Sequence, residues 1–240
     1  MWDEDDVKRA GRSMCCMVTA TFTLICRLLR KASFAAAIVL LVAGCTLLGP
    51  KQDQTRFIVL SSATSPGPNG AGSSSDDKLT SVAVGVGPIR LPGYLDRPEL
   101  VIRTSPNGLE LSESDRWAEP LTDNFRHVLA NDLANLLGTA NIVQFPWYPG
   151  TPLDFAVQIQ VQRFEADTSR KATLAASWEL RTPHNNQVLA TRQANLTQPA
   201  NSLAGDAVAG ALSKDVAQLA GQIALAISQA EQQRIAAGGR

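Results

Sequence analysis

Few side chains in this sequence could do chemistry by themselves. Of the two histidines, His127 and His184, neither has a thiol or a second histidine at metal-ligand spacing. Both are better explained as structural or solvated side chains. Four carboxylates cluster near a predicted turn: Glu110, Glu113, Asp115 and Glu119. Paired carboxylates can hydrolyse a glycosidic bond, so a hydrolase is one hypothesis. Acidic residues that alternate beside a turn are more often a solvated face.

The sequence motifs of common enzyme classes are absent. There is no Gly-x-Ser-x-Gly, His-Glu-x-x-His, phosphate-binding loop or paired-cysteine motif. Gly85 and Gly87 follow a predicted strand, but Arg90 occupies the position where a dinucleotide-binding fingerprint needs its third glycine. We therefore expect a protein without catalytic activity, cofactor or metal.

The balance of charge excludes further classes. The chain has 22 Lys and Arg residues and 22 Asp and Glu residues, and 45% of its residues are apolar. A neutral chain gives no reason to expect a nucleic-acid groove. Ordinary apolar content argues against disorder and against a polytopic membrane protein.

The cysteines all lie in the first 45 residues, at Cys15, Cys16, Cys26 and Cys45. Residues 46–240 contain none, so that part of the chain has no disulfide, no thiolate metal site and no cysteine nucleophile. It must be held together by packing alone.

A secretory signal precedes Cys45. Arg27, Arg30 and Lys31 are followed by an uncharged apolar stretch over residues 32–44 that ends in Ala-Gly. This stretch is too short to cross a hydrocarbon layer of about 30 Å as a helix. An acidic start and a second apolar stretch over residues 14–26 come before it. They indicate either a long n-region or a start codon assigned too far upstream, and we favour the second.

Residues 41–45, Leu-Val-Ala-Gly-Cys, resemble the lipobox of bacterial lipoproteins. The resemblance implies cleavage before Cys45 and its acylation with chains such as palmitate. A soluble-protein signal with an incidental cysteine is the alternative. An aspartate after the cysteine would favour the inner membrane in such lipoproteins. Thr46 stands there, so the resemblance implies an outer-membrane anchor facing the periplasm.

The chain divides into an extension plus signal peptide (residues 1–44), a lipidated cysteine with a short tether (45–55) and a single domain (56–240). The ten tether residues 46–55 reach at most about 35 Å, and about 18 Å when flexible. Residues 61–78 are rich in Ser, Gly, Pro, Asn and Asp. They predict a mobile loop.

Hydrophobic periodicity predicts strands and two long helices. A helix is expected after Pro120 up to a C-cap at Gly138, and a second over residues 204–236. Asn107-Gly108 predicts a hairpin between residues 99–104 and 108–111. The other predicted strands are residues 57–60, 79–86 (ending at Gly87-Pro88), 141–145, 154–165, 172–181 and 187–196. This order indicates an α+β two-layer domain, with a largely antiparallel sheet and both amphipathic helices on one face.

Two segments combine arginine with aromatic residues. Residues 87–98 hold three prolines, two glycines, two arginines and a tyrosine, so a stiff loop should present its side chains from a defined backbone. A second segment, residues 116–120, precedes the first helix. Tyr, Trp and Arg dominate binding hot spots, and the partner-binding candidates are Tyr94, Asp96, Arg97, Arg116 and Trp117. Alternatively, the rings plug the sheet end while the arginines pair locally; the two interpretations are compatible.

The same segments carry a family resemblance. Val-Gly-Val-Gly-Pro (84–88), Leu-Pro-Gly-Tyr-Leu-Asp-Arg-Pro (91–98), Asn-Gly-Leu (107–109) and Arg-Trp-Ala-Glu-Pro-Leu (116–121) resemble the PqiC (YmbA) family of ABC-type transport auxiliary lipoproteins. The long N-terminal extension and the 61–78 loop depart from the family pattern.

The resemblance implies a non-enzymatic subunit of an intermembrane lipid-transport system, anchored in the outer membrane. Its partner would be a PqiB-like MCE-domain protein that forms a hydrophobic tunnel, and self-association as a ring at the tunnel's end is also implied. The alternatives are a periplasmic lipid-binding carrier with a cavity between helices and sheet, and a hydrolase that uses Glu113 and Asp115.

Overall fold

The computed structural model of the protein describes residues 54–63 and 79–238. The signal, Cys45, most of the tether and most of the predicted loop lie outside these residues. The described residues form β1 (Arg56–Ile58), β2 (Val84–Arg90), β3 (Glu99–Ser105), β4 (Gly108–Trp117), α1 (Leu121–Leu137), β5 (Ile142–Gln144), β6 (Phe155–Asp167), β7 (Lys171–Thr182), β8 (Gln187–Pro199) and α2 (Gly205–Gly238), with a short 3-10 helix at Gly93–Leu95.

The strands form one open, mixed sheet. Its strand order is β1-β4-β3-β6-β2-β5, and β7 and β8 extend it from the other side of β6. The hairpin β3–β4 and the long pairings β6–β7 and β7–β8 are antiparallel. Four shorter pairings, β1–β4, β2–β5, β2–β6 and β3–β6, are parallel. The predicted α+β fold is confirmed. The four parallel pairings were not predicted, because pairing between distant segments has no local turn signal.

Period-two alternation makes the sheet one-sided. In β6 the side chains of Phe155, Val157, Ile159 and Val161 are buried, whereas Gln158 and Gln160 are exposed. Both helices cover the inner face: α2 lies against β6, β7 and β8, and α1 lies against β2, β5 and α2. The core therefore fills the space between one sheet and two helices.

Both helices follow from their sequences. α1 ends as predicted at Gly138, which has a left-handed φ of 66° and donates its N–H to the Ala134 carbonyl at 2.9 Å. The predicted stripe of α2 is buried throughout: Val208, Leu212, Val216, Leu219, Ile223 and Ile227. Within the described part of the chain, no helix is both long and apolar enough to span a membrane.

Several predicted strand boundaries are wrong. The strand expected from residue 79 begins at Val84, and the hairpin strand expected to end at residue 111 continues to Trp117. The strand predicted to stop at Gly87-Pro88 continues as β2 to Arg90, with a register shift against β6 between Val86 and Ile89. Gly87 has a φ of +118°, and a Cβ there would lie 2.7 Å from the Cβ of Phe145. Glycine thus allows the strand to bulge where another residue would end it.

Candidate docking groove

The hairpin β3–β4 brings the two arginine–aromatic segments together. Glu99 pairs with Arg116 in the antiparallel register. The N–H of Trp117 donates to the carbonyl of Pro98 at 2.7 Å. The end of the first segment therefore lies directly against the start of the second, although 17 residues separate them in sequence.

A groove of about 330 Å³ lies between these segments. Trp117 is 5% exposed and supplies a packed, immobile ring. Asp96, Arg97 and Pro98 are exposed along the groove, as are Ala118 and Pro120. We call this site the motif groove; its lining residues are Asp96, Arg97, Pro98, Trp117, Ala118, Glu119, Pro120 and Leu121.

Three of the five predicted partner-binding residues line the motif groove: Asp96, Arg97 and Trp117. The other two do not. Arg116 donates from Nη1 to Oε1 of Glu99 at 2.9 Å, with its side chain about one-third exposed. It pairs across the hairpin, which is the local pairing that the sequence left as an alternative.

Tyr94 anchors the loop that carries the groove residues. It is half-buried, and its hydroxyl donates to Oε2 of Glu165 at 2.8 Å. Glu165 is 1% exposed and accepts at Oε1 from Nε of Arg103 at 2.7 Å and from Nε of Arg163 at 2.9 Å. The tyrosine therefore connects the loop to β6.

Burial and hydrogen bonding fix the charge states of this network. Burial would raise the pKa of Glu165, but hydrogen bonds from Arg103, Tyr94 and Arg163 outweigh it and lower the pKa below its usual value. Burial and the neighbouring Glu165 carboxylate raise the pKa of Tyr94 to about 12. At neutral pH a neutral phenol therefore donates to a charged carboxylate. Sequence reasoning missed Glu165 because nothing local marks a buried charge in β6.

The start of α1 stabilises the opposite side of the groove. The N–H of Leu60 donates to Oδ1 of Asn124 at 2.6 Å, and Nδ2 of Asn124 donates to Glu119. His127 lies with Nδ1 3.5 Å from Oε2 of Glu119, which agrees with its predicted structural role. The N–H of Ala118 donates to the carbonyl of Ile58 at 3.0 Å. β1, β4 and α1 therefore meet at this wall.

The acidic cluster does not form one shared site. Glu110 and Glu113 are exposed, as a solvated face requires. For Asp115 the prediction of a solvated face is wrong, because this residue is only 5% exposed. Its carboxylate lies 2.9 Å from Nη2 of Arg56 and accepts a hydrogen bond from the Ser112 hydroxyl at 3.1 Å. Among the described residues, no group of three or more His, Cys, Asp or Glu side chains is arranged to hold a metal.

A family comparison places the chain among known proteins. The model of the family described as ABC-type transport auxiliary lipoprotein component matches residues 64–224. This range covers more than half of the chain and both groove segments. The chain belongs to this family. The resemblance inferred from the sequence is confirmed, and this auxiliary lipoprotein is a membrane-anchored type of transport component.

Two solved structures share the fold of this auxiliary lipoprotein. The protein XCC0632 from Xanthomonas campestris, of family DUF330, is 19% identical with a TM-score of 0.59, over 75% of this chain and 99% of that one. A protein described only as uncharacterized is 21% identical with a TM-score of 0.54, over 63% and 95% of the two chains. A search of curated proteins finds no match. At these identities the structures support the fold alone.

Proposed function

We propose that this auxiliary lipoprotein is a non-enzymatic docking subunit of an intermembrane lipid-transport system. Acylated Cys45 anchors it in the outer membrane, its domain faces the periplasm, and the motif groove binds an MCE-domain tunnel protein anchored in the inner membrane. One observation supports the docking role above others: the two sequence segments that carry the family resemblance line a single groove.

The composition of the motif groove suits a protein partner. Arg97 is exposed, and its side chain makes no hydrogen bond or ion pair to the described residues. It stands beside Pro98, Pro120 and the immobile ring of Trp117. An arginine and a tryptophan on a rigid backbone are typical of binding hot spots. A groove of this size has room for a few side chains of a partner.

The direct test is recovery of an MCE-domain protein with the tagged, full-length protein from detergent extracts. Arg97→Ala removes the free guanidinium, and Ala118→Glu places bulk and charge in the groove. We expect each to lower the recovered partner about tenfold or more, the effect of losing about 1.4 kcal/mol of binding free energy. Arg90→Ala is the matched control, since Arg90 is exposed at the end of β2 and lies outside the groove. Undiminished recovery with both groove variants, or no MCE protein in several detergents, would overturn the docking role.

The anchor has its own test. Mass spectrometry of the protein extracted from membranes should show a mature chain that begins at acylated Cys45. Any other mature N-terminus would contradict the anchor, whatever the outcome of the partner experiment. The ring implied by the family resemblance belongs to the same proposal, and the mass of the detergent-solubilised complex measures it.

The alternative of a lipid-binding carrier requires a cavity between the helices and the sheet. Besides the motif groove, we consider two grooves that the described residues form. One lies around Gln158, Gln160 and Ser177 on the outer sheet face, and the other lies along β5 and residues 151–154. Neither lies between the helices and the sheet, so these grooves do not favour the carrier.

A further inference from the structure

The outward face of the β1 segment is apolar. Phe57 is 70% exposed and Val59 is 52% exposed, whereas Ile58 and Leu60 between and after them are buried. Residues 57–60 thus alternate between exposed and buried as in a strand, but all four are hydrophobic, whereas the exposed face of such a strand is usually polar. Among the described large hydrophobic residues, only Tyr148 is more exposed than Phe57.

The position of these two side chains is fixed by the fold. Phe57 pairs with Arg116 in the parallel register of β1 and β4. The residues on both sides of Val59 are hydrogen-bonded. The carbonyl of Ile58 accepts from the N–H of Ala118, and the N–H of Leu60 donates to Oδ1 of Asn124. Exposure of Phe57 and Val59 therefore does not come from a loose segment.

The length of the tether identifies what can cover this face. Arg56 follows Cys45 by eleven residues, a distance of at most about 40 Å when extended and about 18 Å for a flexible chain. No other described strand or helix is connected to Cys45 by so short a segment. If the acyl chains of Cys45 are inserted in a bilayer, that bilayer is an apolar surface within reach of β1.

We propose that Phe57 and Val59 insert into the interfacial layer of the bilayer that holds the acyl chains of Cys45. The inference rests on the Cys45 anchor of the proposed function, but not on the MCE partner. The side chains of Phe57 and Val59 are wholly apolar, as suits burial at the boundary between headgroups and acyl chains. Arginine suits the same layer because it buries an apolar stem and keeps its charged end in water; the guanidinium of Arg56, 60% exposed, is next to Phe57. Because Ile58 is bonded to Ala118, the motif groove then lies beside the membrane surface.

The absence of cysteine from residues 46–240 allows a direct measurement. In the mature protein that begins at acylated Cys45, Phe57→Cys would provide the one reactive thiol, which can carry a nitroxide. The protein is reconstituted into vesicles of phosphatidylethanolamine and phosphatidylglycerol, and collision rates with oxygen, which concentrates in lipid, and with a water-soluble nickel chelate are compared. Val59→Cys is a second reporter on the same face.

The matched control is Val188→Cys, since Val188 is an exposed apolar residue of β8 (45%). Through Arg181 it aligns with Ala156 at the start of β6. Phe57 pairs with Arg116 of β4, which pairs with Glu99 of β3. Glu99 is three residues before Ile102, the partner of Ala166, so Phe57 lies level with Arg163 of β6. Seven residues of β6 separate the two levels, about 23 Å.

We expect the ratio of oxygen to nickel collisions to be several-fold higher at positions 57 and 59 than at position 188. Equal ratios would overturn the proposal. So would an immobilised nitroxide that neither reagent reaches, because then a second copy or another protein covers the face. If the protein extracted from membranes carries no acyl chains and does not float with the vesicles, both the membrane contact and the anchor are overturned. The groove variants test partner binding separately.

Discussion

The hydroxyl of Tyr94 donates a 2.8 Å hydrogen bond to the buried carboxylate of Glu165, which joins the loop after β2 to β6. Asp96 and Arg97, which line the motif groove, follow Tyr94 by two and three residues. Tyr94 is therefore a positioning residue for the groove wall. The conformation of Tyr94 depends on the carboxylate of Glu165, which is distant in sequence.

Removing the Tyr94 hydroxyl should destabilise the domain. Tyr94→Phe leaves the buried Oε2 of Glu165 without its side-chain donor, and we expect the free energy of unfolding to fall by about 1–2 kcal/mol. Urea denaturation measures this change. Tyr148→Phe is the matched control, because Tyr148 is 86% exposed and should tolerate the change. Equal stability of the two variants would mean that the Tyr94 bond contributes nothing.

Glu165 should make the protein sensitive to acid. Its pKa is lowered in the folded state, so the folded protein binds fewer protons than the unfolded chain. The resulting stabilisation is complete above the unfolded pKa of about 4.3 and is lost as pH falls through the lower folded pKa. We expect Glu165→Gln to cost about 2 kcal/mol at pH 7 and less at pH 3, measured by urea denaturation. A cost that is equally large at both pH values would show that the charge is not responsible.

Asp215 should have the opposite pH dependence. Its side chain in α2 is 0% exposed, and neither carboxylate oxygen has a hydrogen-bond donor among the described residues. Burial raises its pKa to about 7. Between about pH 4 and about pH 7 the folded protein holds a proton that the unfolded chain has released, so stability falls as pH rises through this window.

A neutral amide at position 215 should therefore stabilise the protein above pH 7. For Asp215→Asn we expect a gain of roughly 2–4 kcal/mol in the free energy of unfolding at pH 8 and little change at pH 4. The control is Glu113→Gln, which neutralises an exposed carboxylate of β4 and should change neither value. If Asp215→Asn is destabilising at pH 8, the carboxylate has a partner that these residues do not reveal.

Local patterns in the sequence predicted most of the fold. The stripe of α2, the alternation of β6 and the Asn107-Gly108 turn each depend on neighbours within a few residues, and each is confirmed. The parallel pairing of β1 with β4 depends on the crossover between distant segments, which no local period encodes.

The candidate site was predicted less completely, for a related reason. The residue types of Arg97 and Trp117 indicated two candidate binding segments, and these two residues line one groove. Tyr94 and Arg116 have the same residue types but bond to Glu165 and Glu99. Composition cannot distinguish an arginine that is free to bind from one whose partner lies across a hairpin.

The last prediction concerns the junction between the start of α2 and strand β4. Gly205 is the first residue of α2, and a Cβ built there would lie 2.7 Å from Cγ of Asp115. Asp115 is held by Arg56 and Ser112, so it has little freedom to move away.

Gly205→Ala should therefore displace the Asp115 carboxylate and lower the free energy of unfolding by about 1–3 kcal/mol, as overpacking does. Gly210→Ala, in the same helix, is the matched control: nothing lies within 4 Å of the added Cβ. There alanine should stabilise the helix by about 0.5–1 kcal/mol, because it has less conformational entropy to lose than glycine. Urea denaturation of the two variants should thus give changes of opposite sign. Stabilisation by both would show that Asp115 moves aside without cost, and that the start of α2 does not depend on its contact with β4.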